Sequence, residues 1–476
     1  MRASKPAIRD ARIAAFAAAL SILAGAGFSG RGSSLPGKNE GPERPYAEIA
    51  ESLRLEGLKS EGAFAILERL TRLAPQRLTG SPGFASAQEL MRREMEGLGL
   101  KSWREPVRVE HWVRGKIQQA EIIGAGAAPQ ALRIATLGLS VPTPEAGITA
   151  PLIEIRSFED LRAAGSRVLG AIVFYNHPMN PSFQDTFASY GEAAPYRTRG
   201  ASAAAKLGAV AVLVRSLTLR RDGFPHTGMV DYDPDVPRIP AASVATLDAE
   251  ALSRRLRAEA GLRLRLHLDC RNLEPADSSN LVGQIEGTEK PGEIVLLGAH
   301  LDAWDLGTGA HDDGAGCAQC LEAVRLIRAL GLKPKRTIRI VLYPNEEFGA
   351  SAGRDYARAP RRSSERHVAA IESDRGGFLP LGFGLGSAGT FERLKKWDPL
   401  LRPAGIRWVG PGGGGADTGP LGGQGTALLA FIPDAQRYFD HHHSANDVLS
   451  AVHPRELELG AVVMAVMAVV IAEEGI

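Results

Sequence analysis

The 476-residue sequence is poor in cysteine, in aromatic residues and in net charge. Its three cysteines, Cys270, Cys317 and Cys320, are too few for a disulfide framework. Aromatic residues make up 6% of the chain, and 56 basic against 54 acidic residues leave a formal net charge of +2. Proteins that bind nucleic acid usually carry a strongly basic face. We therefore expect no nucleic-acid partner, and stability that comes from packing and from metal rather than from disulfides.

Long apolar runs are also scarce, and the one near the start of the chain is short. Basic residues between Arg2 and Arg12 precede an apolar run at residues 13–23, which small residues follow. This order is typical of a secretory signal peptide, and the run falls short of the ~20 apolar residues that a membrane-spanning helix needs. We predict a signal peptide or N-terminal anchor at residues 1–29, no other stable membrane association, and a secreted or periplasmic protein.

The middle of the chain has a different residue pattern from the segments before and after it. After a polar linker at residues 30–45, apolar residues recur at three- and four-residue spacing in residues 61–73 and 85–98, which predicts helices. From about residue 116 to 273, short β-rich runs are broken by glycine and proline. The sequence therefore predicts a catalytic domain in two parts, residues 30–116 and 274–476, with a smaller β-rich domain inserted at residues 117–273.

The second part of the catalytic domain alternates strands with long helices. Strands are predicted at residues 293–299, 337–343, 368–371 and 427–432, and helices at residues 314–330, near 390–401 and from 454 onwards. Residues 461–472 are too few to span a membrane and read as a core helix. Alternating strands and helices indicate an α/β fold with a doubly wound, mostly parallel sheet.

Polar side chains follow these predicted strands where each strand ends. Ligands of open α/β sheets bind beyond the carboxyl ends of the strands, so we expect these side chains to share one site. Histidine and carboxylate donors without paired thiolates suit a hard or borderline divalent ion, and zinc tolerates the mixture best. The side chains are His300 and Asp302, then Glu346 and Glu347, then Asp374, and finally the histidines at 441–443.

The spacing of these residues also suggests a division of labour. Asp312, in the turn after the first of these strands, could reach two ions at once through its two oxygens, and two ions ~3.5–4 Å apart would activate a water for attack on a carbonyl. Glu346 and Glu347 are adjacent and point in different directions. One can bind metal while the other takes the proton of the water and hands it to the leaving amine.

These motifs resemble the di-zinc aminopeptidase/glutamate carboxypeptidase superfamily and, within it, the plasma glutamate carboxypeptidase (carboxypeptidase Q) branch. The resemblance covers nearly the whole mature chain, and it implies that the insertion is a protease-associated domain. It is carried by His300-Leu301-Asp302-Ala303-Trp304-Asp305, Asp312-Asp313-Gly314, Asn345-Glu346-Glu347, Glu372-Ser373-Asp374, His442-His443-Ser444 and, in the insertion, Pro225-His226-Thr227-Gly228.

The resemblance implies two Zn²⁺ ions per chain. His300 and Asp374 would hold one ion, Glu347 and His443 the other, and Asp312 would bridge them. His443 is preferred among the three histidines because the last histidine of the family lies four residues before an acid, here Asp447. The resemblance also implies a cis peptide bond between Asp312 and Asp313, and a homodimer.

Three further roles follow from the resemblance. Glu346 would be the general base and acid, and Asp302 would orient the ring of His300. Related enzymes often have a tyrosine where this chain has His442, whose imidazole could still donate a hydrogen bond to the oxyanion. The implied activity is hydrolysis of dipeptides or short peptides by metal-activated water, in the manner of a carboxypeptidase or dipeptidase.

The same residues are compatible with other functions. An aminopeptidase of the same superfamily is the main alternative, and an amidohydrolase acting on non-peptide amides is less favoured. A non-catalytic receptor is also less favoured, because every matched position keeps a competent side chain. Residues 349–353 match G-x-S-x-G, but Ser351 would lie inside a helix and not at the strand-to-helix turn that a serine nucleophile needs.

Two further motifs favour structural roles. Residues 384–389 fit G-x-G-x-x-G but lack a convincing acid about 20 residues further on, so dinucleotide binding is disfavoured. Cys317 and Cys320 imitate a C-x-x-C pair and are predicted as buried core residues, because free cysteines are among the most buried residue types.

Overall fold

The computed structural model describes residues 44–124, 128–406 and 408–476. The predicted signal peptide at residues 1–29 lies outside the described residues. Within the described ranges, no helix is both long enough and apolar enough to cross a membrane. The described chain folds into two mixed β-sheets of eight strands each, with helices packed around them.

The sixteen strands of the described residues belong to one sheet or the other. In chain order they are β1 (Lys101–Val113), β2 (Gln118–Ile123), β3 (Gln130–Leu132), β4 (Ile134–Thr136), β5 (Ile148–Ile155), β6 (Ile172–Tyr175), β7 (Ala211–Arg215), β8 (Ala241–Val244), β9 (Arg263–Leu268), β10 (Arg271–Ile285), β11 (Lys290–His300), β12 (Arg336–Tyr343), β13 (Arg366–Glu372), β14 (Pro380–Leu385), β15 (Trp408–Pro411) and β16 (Ala427–Pro433).

The α-helices of the described residues range from one turn to six turns. In chain order they are α1 (Arg44–Ser60), α2 (Gly62–Leu73), α3 (Pro82–Gly97), α4 (Phe158–Ala164), α5 (Thr186–Thr198), α6 (Gly200–Ala205), α7 (Thr246–Ala258), α8 (Ala315–Ala329), α9 (Ser351–Arg358), α10 (Ala388–Leu394), α11 (Asp398–Leu401), α12 (Tyr438–His441) and α13 (Pro454–Glu474).

The first sheet has the strand order β1-β10-β12-β11-β13-β16-β14-β15. Its centre, β12-β11-β13-β16, is parallel, and β14 pairs with β15 in parallel as well. The pairs β1–β10, β10–β12 and β14–β16 are antiparallel. The α/β fold is confirmed, and the sheet is mixed because its two sides carry antiparallel strands around the parallel centre.

The core of this half lies between the sheet and the helices α8 and α13. Every residue of β12 is buried, as expected for a central strand covered on both faces. Helix α13 packs against α8, α1 and α2, and nearly all its side chains from Leu457 to Ala472 are buried. A helix that is apolar on all sides is a buried helix, so the prediction of a core helix at residues 461–472 is confirmed.

The second sheet has the order β3-β2-β9-β5-β6-β7-β8-β4, and its strands all lie between Gln118 and Leu268. The chain leaves the first sheet after β1 and returns through β10. These two strands pair antiparallel from Lys101–Gln284 to Val113–Arg271, so one long ribbon connects the two sheets. The exact domain limits at residues 117 and 273 stay a prediction.

Two helical features differ from the prediction. Residues 390–401 do not form one helix: α10 ends at Leu394, and α11 starts again with Pro399 in its first turn. Proline has no N–H to continue a helical ladder, so it favours a helix start over a helix interior. Helix α1 begins at Arg44, inside the end of the predicted linker, and its weakly apolar face gave no clear periodic signal.

Candidate active site

The candidate site lies at the carboxyl edge of the parallel centre of the first sheet. β11 ends at His300, β12 ends three residues before Glu346, and β13 ends two residues before Asp374. Because these three strands are parallel neighbours, their ends meet at one edge. β16 lies next to β13, and the chain after it forms the short helix α12 and then reaches His443.

Asp312 lies at the centre of the site. One carboxylate oxygen, Oδ1, is 3.2 Å from Nε2 of His300, and the other, Oδ2, is 3.3 Å from Nε2 of His443. Nε2 of His300 also lies 3.4 Å from Oδ1 of Asp374, and Nε2 of His443 lies 3.0 Å from Oε2 of Glu347. The structure therefore brings the five residues predicted as ligands together in two groups that share Asp312.

His442 also belongs to this arrangement. Its Nε2 is 3.8 Å from Oδ2 of Asp312, and its ring stacks on that of His443 with 3.5 Å between the ring centroids. Donor atoms of Asp312, His442 and His443 all lie within 4.8 Å of one another, as do donor atoms of His300, Asp312 and Asp374. His442 is thus one donor more than the predicted ligand set contains.

The donor atoms of these residues fit divalent metal ions. Nε2 of His300, Oδ2 of Asp312 and Oε1 of Glu347 are buried and have no hydrogen-bond partner. Leaving a buried polar group unsatisfied costs about 1–3 kcal/mol, and cations bound in the two groups would satisfy these three atoms. A cavity of about 10 Å³ lies against Asp312, Glu347 and His443. This volume is close to the smallest that holds one water molecule.

Asp302 contacts both sides of the site. Nδ1 of His300 lies 3.0 Å from the backbone oxygen of Asp302 and 3.5 Å from its Oδ1. The Asp302 carboxylate also accepts the backbone N–H groups of Glu346 and Glu347, at 3.2 and 3.3 Å. The geometry fits the orienting role predicted for Asp302, and it adds a contact to the glutamate loop that the sequence did not suggest.

The turn that carries Asp312 is held by two other acids. The peptide bond between Asp312 and Asp313 is cis, as predicted. The Asp313 carboxylate accepts the N–H of His300 at 3.1 Å, and the Asp447 carboxylate accepts the N–H groups of His311 and Asp312 at 2.6 and 3.1 Å. Asp447 was noted in the sequence only for its spacing from His443, and its contact with this turn was missed.

Residues between β7 and β8 also support the site. His226 donates from Nδ1 to the carbonyl oxygen of His442 at 2.7 Å, and the N–H of Thr227 donates to the carbonyl oxygen of His443 at 2.8 Å. In return, Nδ1 of His443 lies 3.3 Å from the carbonyl oxygen of Thr227. A donor hydrogen on Nδ1 leaves Nε2 of His443 free for a metal ion.

Comparison with known proteins agrees with this geometry. Residues 280–467 match the model of peptidase family M28. Carboxypeptidase Q from Bos taurus is 35% identical over 435 residues, which cover 90% of this chain and 89% of the bovine protein. The crystal structure of a peptidase M28 precursor from Shewanella amazonensis SB2B is 33% identical, has a TM-score of 0.86 and covers 91% of this chain and 98% of its own. The chain belongs to peptidase family M28.

The wider M28 fold extends to more distant structures. A zinc aminopeptidase from Bacillus subtilis is 18% identical, with a TM-score of 0.62, and covers 85% of this chain and 94% of its own. This likeness shows a shared fold. The resemblance found in the sequence, the fold class and the enzyme class are confirmed, and the chain is a metallo-exopeptidase.

The acids of this M28 site differ in proton affinity. Burial alone would raise the pKa of Asp312, but contacts with the imidazoles of His300 and His443 lower it well below its ordinary value. Burial raises the pKa of Glu346 well above its ordinary value, and the neighbouring carboxylates of Asp374 and Glu347 act in the same direction. Opposite charges explain the first shift and desolvation the second.

The rival motifs have structural roles in the M28 chain. Ser351 is the first residue of α9 and not an interior residue as predicted, and its hydroxyl accepts a hydrogen bond from the side chain of Asn345 at 2.6 Å. Within the described residues it has no hydrogen bond with a histidine. Gly384 lies in β14, where an added Cβ would come within 1.7 Å of the backbone oxygen of Gly412, so it permits close strand packing. Cys317 and Cys320 are buried and free in α8, as predicted.

Proposed function

We propose that this M28 peptidase is a di-zinc exopeptidase that hydrolyses dipeptides or short peptides in the manner of a carboxypeptidase or dipeptidase. The observation that carries the proposal is the position of Asp312, whose two oxygens face His300 and His443 separately. A single carboxylate between two donor groups is what a pair of bridged ions requires. Nitrogen and oxygen donors without thiolate are the set that catalytic zinc accepts.

The ligand roles follow the two groups. His300 and Asp374 would hold one zinc, Glu347 and His443 the other, and Asp312 both. When bound, zinc polarises the scissile carbonyl and brings the pKa of water close to ~7. The chain supplies the frame for this chemistry, because each ligand follows a strand end or is fixed through its backbone. The N–H groups of Glu347 and Asp312 donate to the carboxylates of Asp302 and Asp447, and the carbonyl oxygen of His443 accepts from the N–H of Thr227.

Glu346 handles the proton in this proposal. Its backbone N–H is fixed by Asp302, and its side chain belongs to neither donor group. Its carboxylate takes a proton from the attacking water and returns it to the nitrogen of the leaving amine. His442, stacked on His443, donates a hydrogen bond to the carbonyl oxygen of the substrate as negative charge develops there.

The test compares two adjacent glutamates. Wild type, Glu346→Gln and Glu347→Gln are purified and compared in metal content and in hydrolysis of a dipeptide. We expect about two zinc ions per chain in wild type and in Glu346→Gln, with activity lower by at least about 100-fold in Glu346→Gln. Glu347→Gln is expected to lose metal as well as activity. Full activity in Glu346→Gln would refute the mechanism.

Three further proposals concern the whole chain. Residues 1–29 are a signal peptide or N-terminal anchor that directs export, residues 117–273 form a protease-associated domain between catalytic parts 30–116 and 274–476, and the protein is a homodimer. N-terminal sequencing of the exported protein tests the first proposal, and limited proteolysis tests the second. Sedimentation equilibrium measures the mass of the assembly, and a monomer at micromolar concentration would overturn the third.

A further inference from the structure

Arg375 is an uncommitted cation beside the proposed metal site. It follows Asp374 directly, at the carboxyl end of β13, and its side chain is half-buried. Within the described ranges the guanidinium makes no hydrogen bond and no ion pair. It makes a cation–π contact with the ring of Phe187, whose centroid lies 4.3 Å from Cζ. A guanidinium withdrawn from water normally faces a carboxylate or carbonyl oxygen. Asp185 and Asp374 attract the Arg375 guanidinium electrostatically, but within the described residues neither carboxylate forms an ion pair or a hydrogen bond with it.

Three other arginines near the site donate hydrogen bonds to groups of the chain itself. Arg77 donates to three backbone carbonyls, and Arg114 pairs with Asp305. Arg197 donates to the hydroxyl of Tyr190 at 2.6 Å and to a backbone carbonyl. These hydrogen bonds hold the surrounding structure together, and Nε of Arg197 is the one buried donor among these three side chains that has no hydrogen-bond partner. Arg375 differs from these three arginines because, within the described residues, it makes neither a hydrogen bond nor an ion pair.

The loop that carries Arg375 is fixed on both sides by residues of the site. Asp374 lies 3.4 Å from His300, and the N–H of Gly377 donates to Nδ1 of His311 at 3.2 Å. Between them, Gly376 has φ +83°, a left-handed conformation that glycine adopts without strain. The backbone that carries Arg375 is thus anchored on both sides, next to the proposed ligand Asp374.

The aromatic neighbour of Arg375 connects it to the histidine side of the site. Phe187, from α5, stacks on Tyr438 with 5.2 Å between ring centroids, and Tyr438 lies 5.2 Å from the ring of His442. A guanidinium stacked on an aromatic ring keeps its N–H groups in its own plane, where they suit the two oxygens of a carboxylate.

We propose that Arg375 binds a carboxylate of the peptide substrate and so determines which peptides this enzyme prefers. The inference rests on the proposed exopeptidase function. A peptide offers two sources of this group: the C-terminal carboxylate, and the side chain of an aspartate or glutamate. Both match the charge and the planar geometry of the guanidinium, and the choice of substrates below distinguishes them.

The experiment measures KM and kcat of the zinc-loaded enzyme for three substrates. These are alanyl-alanine, alanyl-alanine amide and alanyl-glutamate amide, of which the second has no carboxylate and the third only a side-chain carboxylate. We expect Arg375→Met to raise KM about tenfold or more for a substrate whose carboxylate it binds, with a much smaller change in kcat. Arg375→Lys keeps the positive charge but lacks the planar guanidinium that can bind both oxygens of a carboxylate. It is expected to give an intermediate KM.

The pattern across substrates identifies the source of the carboxylate. A rise in KM for alanyl-alanine alone assigns the C-terminal carboxylate, and a rise for alanyl-glutamate amide assigns the side chain. Arg437→Met is the matched control, because Arg437 is an exposed arginine whose guanidinium lies 5.3 Å from the ring of Phe378. It removes the same charge near the site and is expected to keep wild-type values.

Two negative results have different meanings. If wild type hydrolyses these peptides and Arg375→Met keeps the wild-type KM for both carboxylate substrates, the role of Arg375 is refuted and the exopeptidase stands. If zinc-loaded wild type hydrolyses no peptide at all, the proposed function fails and the inference with it. Metal content and circular dichroism of each variant separate a binding defect from a folding defect, and Arg375→Lys tests the role should Arg375→Met not fold.

Discussion

The carboxylate of Asp447 accepts the backbone N–H of Asp312 at 3.1 Å, across 135 residues of sequence. Asp447 thereby fixes the residue proposed to bridge two metal ions, and it lies four residues after His443, a proposed ligand of one of them. The same short segment near the C terminus supplies a metal donor and the anchor for the bridging carboxylate. Movement of this segment therefore changes both donor groups together.

Replacement of Asp447 tests this anchor. Asp447→Ala removes both acceptors for the N–H groups of His311 and Asp312, so we expect zinc affinity to fall about 10- to 100-fold, as for other residues that orient ligands. Competition with a chromophoric zinc chelator measures the affinity. Asp277→Asn, on the surface of β10, is the control. Unchanged affinity in Asp447→Ala would show that the turn holds its position without this contact.

Arg77 is predicted to stabilise the loop between β11 and the Asp312 turn. It is fully buried and donates to the carbonyl oxygens of Leu301, Thr308 and Gly309 at 2.7, 2.5 and 2.6 Å. Each carbonyl left unsatisfied costs about 1–3 kcal/mol, so Arg77→Met is expected to lower the thermal midpoint by roughly 5 °C or more. Differential scanning calorimetry measures the shift, with Arg108→Met on the surface as control; equal midpoints would contradict the prediction.

A buried acid pair distant from the site predicts a pH-dependent stability. Glu458, on α13, accepts the N–H of Ala63 at 3.0 Å. Burial, followed by the charge and hydrogen bond of the neighbouring Glu322, raises the pKa of Glu458 to about 8. The folded chain then binds a proton that the unfolded chain releases above its ordinary pKa, so the free energy of unfolding falls as pH rises from about 4.5 to about 8.

Glu458→Gln removes this ionisation and keeps the hydrogen-bonding groups. We expect the variant to match wild type near pH 4 and to exceed it in unfolding free energy by about 1 kcal/mol or more at pH 8. Urea unfolding at several pH values measures the difference. Glu456→Gln, in the first turn of the same helix, is the control. A stability difference that is the same at pH 4 and pH 8 would exclude Glu458 as its cause.

Inhibitors distinguish the metal mechanism from a serine mechanism. A chelator such as 1,10-phenanthroline is expected to abolish activity, and added zinc to restore it, whereas a fluorophosphonate leaves activity intact. Mild acid should weaken metal binding, because histidine and carboxylate ligands must be deprotonated to bind. Covalent labelling of Ser351 by the fluorophosphonate, with loss of activity, would contradict the assignment. Peptide mass mapping detects such a label.

Three of the proposed metal ligands carry a local signal in the sequence, whereas His443 was chosen among three histidines through the family resemblance. His300, Glu347 and Asp374 follow strands whose apolar runs are visible in the sequence, and parallel strand ends must meet at one edge. The sheet centre was predicted on the same basis. The antiparallel strands β1 and β10 were not separated from the loops around them, because exposed residues interrupt their apolar pattern.

The residues that support the site could not be predicted in the same way. Arg77 reaches Gly309 across 232 residues, and His226 reaches the carbonyl of His442 across 216. Backbone acceptors carry no residue-type signal, so nothing in the sequence marks them as partners. Arg375 escaped notice for a related reason: its unpaired state is visible only when all its neighbours are known.

The hydrogen bonds from His226 and Thr227 to the backbone of His442 and His443 set a lower limit on the part of the chain that can act as an enzyme. A fragment restricted to residues 280–467, the stretch that the family model matches, contains every proposed zinc ligand. It nevertheless lacks the amide and imidazole groups that hold the last two histidines in place. Truncation to residues 280–467 keeps every metal donor but removes the contacts that position two of them.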